Sequence, residues 1–262
     1  MLKDIQNQKD WRNIDIDRVG IADIVYPVVV KDRSKGKQHT IATISMGVNL
    51  PHNFKGTHMS RFVELIHKHR ENISIDSIGE ILHEMRDSLN AEESQIRLSF
   101  KYFAERKAPV SGQISLMDYG CDFFACLSGS GKDLVITVNV PVLSLCPCSK
   151  EISDYGAHNQ RSIVKISVRA SKLVWIEELI EYAEKSASSP IYALLKREDE
   201  KFVTERSYEN PTFVEDIVRN ITELLNSDNR IEWFEVSSTN MESIHNHNAW
   251  AVITKDKRQG MK

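Results

Sequence analysis

The sequence predicts an antiparallel α+β fold made of two like halves. Three observations carry this reading. Runs that alternate apolar and polar residues mark strands, and apolar stripes at a spacing of 3.6 mark helices. The order of the two, ββααββ, occurs twice along the 262 residues. Short echoes support duplication: VNLP at 48–51 against VNVP at 138–141, and THMSR at 57–61 against AHNQRS at 157–162. Four strands and two helices are too few to close a barrel, so each half presents open edges that self-association would cover.

The elements follow in order. Residues 23–30 (DIVYPVVV) and 38–49 (QHTIATISMGVN) read as the first two strands. Phe62, Val63, Ile66 and His69 share one face of a first helix. Ile75, Ile78, Ile81, Leu82, Met85 and Leu89 form the stripe of a second, with Ser74 placed to cap it. Strands at 94–106 and 111–128 close the half. In the second half, 133–142 and 162–170 are strands, and a helix from near Ser171 carries Leu173, Ile176, Leu179, Ile180 and Ala183. The next helix opens at Asn210-Pro211, a cap followed by proline at the first helical position. Its stripe is Val214, Ile217, Val218, Ile221, Leu224 and Leu225, and strands at 230–238 and 249–255 finish the chain. The expected division is an N-terminal arm (1–22), a first unit (23–130) and a second unit (131–262).

Composition narrows the function class. Hydrophobic residues at 41% and charged residues at 27% are typical of a soluble globular protein. No apolar run is long enough to span a membrane. The N-terminal MLKDIQNQKDWRN lacks the apolar core of a signal peptide, and four cysteines in a chain of this length do not make a disulfide framework. A reduced, cytoplasmic protein is the expectation. The net charge of −3 argues against nucleic acid as a partner, and leaves a phosphorylated small substrate open.

Two segments break the symmetry of the halves, and extra material in one copy is a common place for function. One is 188–211, rich in acids. The other holds LSLCPCSKEISDYGAHNQRS at 143–162. Thiolate sulfur and imidazole nitrogen are preferred zinc donors, and a catalytic metal site needs three protein ligands and an open position. Cys146, Cys148 and His158 therefore suggest a metal, although a cysteine nucleophile with His158 as its base has the same spacing. Pro147 stiffens the turn, so the two thiols should point apart and one of them ligate. Cys121 and Cys126, inside a strand, read as packing. Among Glu198, Asp199, Glu200, Glu205 and Glu209, spacing does not single out a third ligand. Glu215, in the first turns of the helix opened by Asn210-Pro211, is either a partner of the helix dipole or a carboxylate accepting two parallel N–H bonds from a guanine-like or pterin-like edge. His245 and His247 in SIHNHNAW share one face of an extended segment, where an acid–base histidine would fit.

Together, PCSKEISDYGAHNQRS, the doubled ββααββ order, the acidic segment and the IHNHNA turn resemble the type IB family of GTP cyclohydrolase I over nearly the whole chain. The resemblance implies the tunnelling fold, in which sheets of several ββααββ units form an oligomeric barrel with helices outside. It implies a homotetramer with sites at subunit interfaces, and GTP plus water giving formate and 7,8-dihydroneopterin triphosphate. By motif, Cys146, His158 and Glu200 would hold a divalent metal: zinc, or else manganese or iron. Glu215 would anchor guanine, His245 would transfer protons, and Cys148 falls on a functionally important position. Lys150, Arg161, Lys196 and Arg197 lie near these segments as candidate triphosphate partners. Two competing readings remain at this stage. One is a nitrile reductase of the same fold, with a cysteine nucleophile and a nicotinamide cofactor; the other is a zinc that only staples the insertion.

Overall fold

In the computed structural model, which describes residues 5, 6, 8–73 and 75–260, the alternating runs are strands and the apolar stripes are helices. The elements are β1 (Ile16–Asp32), β2 (Gly36–Leu50), α1 (Met59–His69), α2 (Ile75–Leu89), β3 (Ser94–Lys107), β4 (Ile114–Ser128) and β5 (Gly131–Leu145). Then come α3 (Pro147–Ile152), β6 (Asn159–Ala170), α4 (Ile176–Ser186), the two-residue β7 (Ser189–Pro190), α5 (Arg197–Glu209), α6 (Val214–Ser227), β8 (Ile231–Asn240) and β9 (Ala249–Asp256). A short 3₁₀ turn, Lys257–Gly260, follows. The predicted cap Ser74 lies outside the described residues. The chain divides into two units: residues up to Lys101 with Asp122–Ile136, and Tyr102–Cys121 with Thr137 onwards.

In the first unit β1 and β2 pair antiparallel from Ile16↔Leu50 to Asp32↔Gly36. β1 thus begins seven residues before the predicted Asp23. Its early residues are mostly exposed and show little alternation, so pairing alone defines the strand there. Gly20 permits a close backbone approach, since a Cβ would sit 1.9 Å from the carbonyl oxygen of Met46. Ala42, Ile44, Met46 and Val48 of β2 and Ile96, Leu98 and Phe100 of β3 turn one face inward. Phe100 meets Phe123 edge to face at 5.1 Å. The helices bury Phe62, Leu65 and Ile66 of α1 and Ile78, Ile81, Leu82 and Met85 of α2. Val63 faces solvent instead of the predicted stripe, and Leu65 takes its place. One helical residue is a rotation of about 100°, which carries Val63 off the face shared by Phe62 and Ile66.

The second unit carries the ladder β6–β8–β9, with Ser162↔Asn240 and Val168↔Phe234 in register. Burial of α4 through Ile176, Leu179, Ile180 and Ala183, and of α6 through Val214, Ile217, Val218, Ile221 and Leu225, follows the predicted stripes. Both helices start later than the sequence indicates. The stretch before α4 is held extended by Arg230, which donates to the Leu173 carbonyl at 3.0 Å and pairs with Glu178 and Asp228. Asn210 is engaged at the end of α5: its N–H donates to the Arg206 carbonyl, and its side-chain amide donates to the carbonyls of Ala187 and Ser188. The helix therefore begins only at Val214, where Asp216 accepts from the Phe213 N–H at 3.1 Å. Cys121 is buried as expected, and burial pushes the Cys126 thiol up.

Helix α5 lies in the acidic segment and has no apolar stripe; only Asp199 and Ser207 are buried. Asp199 anchors it. Its carboxylate accepts from the N–H groups of Val110 (2.8 Å), Ser111 (2.9 Å) and Lys196 (2.8 Å), and from the Ser111 hydroxyl (2.6 Å). Burial alone would raise its pKa, but these four donors outweigh burial and hold the carboxyl well below the ordinary range. A depressed folded-state pKa means that its stabilisation is present above the unfolded value of about 3.9 and is lost as pH falls through the lower folded value. Asp199→Asn should lower the melting temperature at pH 7 and narrow the difference between pH 7 and pH 3, both read by circular dichroism. An unchanged melting temperature at pH 7 would show that Asp199 is not the anchor of α5.

Candidate active site

The two ends of the 143–162 stretch are brought together by backbone geometry. Pro147 occupies the first position of α3, and the Cys146 Sγ accepts from the Ser149 N–H at 3.4 Å, which makes Cys146 the helix cap. The Cys146 N–H donates to the His158 carbonyl at 3.1 Å, and the His158 N–H donates to the Ser149 hydroxyl at 2.9 Å. Gly156, at φ 122°, supplies the left-handed residue in the return. The insertion doubles back on itself and delivers thiol and imidazole to the same place.

That place is a cavity of about 290 Å³ within the second unit. Its wall takes Ser144 and Cys146 from the end of β5, His158 and Gln160 from the start of β6, and Thr212 to Glu215 from the entry of α6. Asn240, Glu242, His245 and His247 close it from the end of β8 and the loop beyond. The rings of His245 and His247 are stacked, with centroids 5.1 Å apart and planes 18° apart. Both line the cavity, although residues 243–247 are a run of bends and not the extended segment that the i, i+2 spacing presumes. Four of the predicted site residues therefore meet here: Cys146, His158, Glu215 and His245.

Cys148 and Glu200 are not on this wall. Cys148 is exposed on α3, and Glu200 is exposed on the first turn of α5. Among the described residues, no three His, Cys, Asp or Glu side chains converge closely enough to hold a metal ion. Two donors nevertheless suit one by their chemistry: the Cys146 sulfur, and a His158 ring whose Nδ1 is already engaged by Gln160 Oε1 at 2.9 Å. The candidate triphosphate cations are also off the wall. Lys150 donates to the Tyr208 carbonyl at 2.5 Å and sits over the Tyr208 ring at 4.4 Å.

Sequence reasoning overlooked the neutral residues of the wall, Ser144, Gln160, Thr212 and Asn240, as well as Glu242. A signal existed for two of them. Ser144 precedes Cys146 by two residues at the end of a strand, and Gln160 follows His158 by two, so each shares a face with its predicted neighbour.

Comparison with known proteins shows the family and the fold. The profile of the family described as type I GTP cyclohydrolase FolE2 matches residues 2–251. A GTP cyclohydrolase FolE2 of Geotalea uraniireducens is 54% identical over 258 residues, covering 98% of this chain and 95% of its own. One of Magnetococcus marinus is 55% identical over 257 residues, covering 98% and 97%. Among solved structures, the uricase of Arthrobacter globiformis aligns with a TM-score of 0.53 at 9% identity, over 92% of this chain and 93% of that one. The uricase of Bacillus fastidious aligns at 0.56 and 7%, over 92% and 93%. At such low identity these two speak for the fold alone, the antiparallel α+β tunnelling fold. With its family profile matched over nearly all its length, and relatives more than half identical, the chain belongs to the type I GTP cyclohydrolase FolE2 family.

Proposed function

We propose that this chain converts GTP and water to formate and 7,8-dihydroneopterin triphosphate, the entry to folate-type pterins, and that it needs a divalent metal to do so. The observation that carries the reading is one cavity walled by Cys146, His158, Glu215 and His245. In this reading Cys146 and His158 hold the ion from the cavity wall, and Glu200, which stands off that wall, has to be brought to it as the third donor; zinc suits the sulfur–nitrogen pair, with manganese or iron as alternatives. When bound, a divalent ion makes water a competent nucleophile near neutral pH.

The chain's own residues do the rest. Glu215 stands on the cavity wall at the entry of α6, where its carboxylate accepts two parallel N–H bonds from the guanine edge and orients the base. Water adds to the imidazole carbon between the two ring nitrogens. The nitrogen that leaves is a poor home for negative charge, and His245 protonates it as the ring opens to a formamide. A second water releases formate. Ribose opening, rearrangement and closure of the six-membered ring then expel one water, so one water is consumed overall. His247, stacked on His245, keeps that ring facing the cavity. Cys148, exposed on α3, is a further catalytic residue in this reading.

The working form is a cytoplasmic homotetramer with its sites at subunit interfaces. Supporting it are the apolar side chains exposed on strands, Val25 and Ile41 in the first unit and Ile114, Leu116 and Trp250 in the second. A monomer in solution would remove it. No described helix is long and apolar enough to cross a membrane.

Protein freed of metal by chelation should release no formate and form no fluorescent pterin from GTP, and restored zinc or manganese should bring both back. Absence of product with every metal, from folded protein, would sink the proposal. Cys146→Ala and Glu200→Ala should each bind zinc more weakly; unchanged binding would remove that residue from the donor set. Glu215→Gln should lower kcat/KM by about 100-fold, as expected for losing charge-assisted hydrogen bonds to the base. His245→Asn should lower kcat by ~10²–10⁴-fold. Steady-state formate assays check both, and wild-type rates in either variant would vacate its assigned role.

A further inference from the structure

A single hydroxyl proton decides which nitrogen of His158 is free. Ser144 is fully buried, and a serine hydroxyl has one proton to donate and two lone pairs to accept with. Three polar groups surround its oxygen: the Thr212 carbonyl at 2.9 Å, the Asn240 amide at 3.3 Å and the Gln160 amide at 3.4 Å. The carbonyl only accepts, so it takes the proton. Both amides must then turn their NH₂ groups toward Ser144. For Asn240 a second contact agrees, because its Oδ1 accepts from the buried Ser162 hydroxyl at 2.7 Å. For Gln160 the consequence is that Oε1 faces the other way, onto His158 Nδ1 at 2.9 Å. An amide oxygen only accepts, so Nδ1 carries the hydrogen. The Ser243 hydroxyl, 3.4 Å from the same nitrogen, is left to accept from it as well.

We propose that Gln160, held by Ser144 and the Thr212 carbonyl, is a positioning residue that fixes His158 as the Nδ1–H tautomer and presents Nε2 as a lone-pair donor to the cavity. The inference deepens the metal-dependent reading and rests on it for what Nε2 binds, though not for the tautomer itself. A free neutral histidine side chain favours the opposite form, with the hydrogen on Nε2, so this arrangement reverses the intrinsic preference of the ring. Gln160 is 6% exposed and Asn240 4%, which keeps water from competing for these contacts. The chain of bonds also reaches the entry of α6, so the carbonyl that settles the tautomer lies three residues before the guanine anchor Glu215.

The test uses the full-length, metal-free protein with ¹⁵N-labelled histidine, at alkaline pH where the ring is neutral. The His158 signal is assigned by its loss in His158→Asn. Wild type should show Nδ1 protonated and Nε2 bare, Gln160→Leu should move the population toward Nε2–H, and Gln160→Glu should keep Nδ1–H. In chelator competition with zinc, Gln160→Leu should bind about 10- to 100-fold more weakly than wild type, and Gln160→Glu at least as tightly. An Nε2–H signal in wild type would overturn the inference. So would a Gln160→Leu protein with unaltered tautomer and zinc affinity, even with a lowered melting temperature, since that is the signature of a purely structural residue. Nδ1–H in a wild-type protein that takes up no zinc would support the tautomer assignment and sink the metal reading alone.

Discussion

The site depends on how the last two residues of β5 are held. The Leu145 carbonyl accepts from the Thr212 N–H at 3.1 Å, and its N–H donates to the Ser188 hydroxyl at 3.0 Å. Ser188 in turn meets the Thr212 hydroxyl at 2.6 Å, and Ser144 donates to the Thr212 carbonyl. All four residues are buried, so each of these polar groups must find its partner within the protein. The result is that β5 ends at a fixed place, the entry of α6 lies beside it, and Cys146 emerges where the insertion begins. A small displacement here would move the thiol, the imidazole and the carboxylate relative to one another, and catalysis depends on positions held to about half an ångström.

The two halves share a plan and divide the work. The paired echoes show it: Asn49 of VNLP accepts from the N–H groups of Glu92 and Glu93, whereas Asn139 of VNVP donates to the Gly120 carbonyl. The two similar motifs also sit differently, since Val48 to Leu50 end β2 while Val138 to Pro141 lie inside β5. After its motif, the first copy runs directly toward α1, while the second adds α3 and its return, the segment that brings in thiol and imidazole. The register Ser162↔Asn240 places the buried polar network at the end of the β6–β8 ladder, so a rigid sheet supports the loops that carry the chemistry.

Much of this was legible in the sequence because the underlying signals are local. Period-2 alternation in β2 and β3 and the stripe of α6 come from burial on one face, and burial leaves that imprint wherever a strand or helix is half covered. The motif around Cys146 and His158 was legible because sulfur and nitrogen donors in one polar stretch have few structural uses. What stayed hidden depends on distant partners. Helix α5 has no stripe and is held by Asp199 reaching back to Val110 and Ser111, a contact 89 and 88 residues away in the chain. The late starts of α4 and α6 come from Arg230 and Asn210 acting on other segments. Ser144 and Gln160 are neutral, common residues whose importance lies in the direction of one proton. Glu200 was chosen by the resemblance, and its exposed place on α5 leaves it beyond the cavity wall.

Where the metal binds is tested most directly by a crystal structure of the zinc-loaded protein with anomalous data at the zinc edge. An anomalous peak is expected within bonding distance of the Cys146 sulfur and Nε2 of His158, inside the cavity walled also by Glu215 and His245. Zinc bound elsewhere on the chain, or at Nδ1 of His158, would contradict this placement.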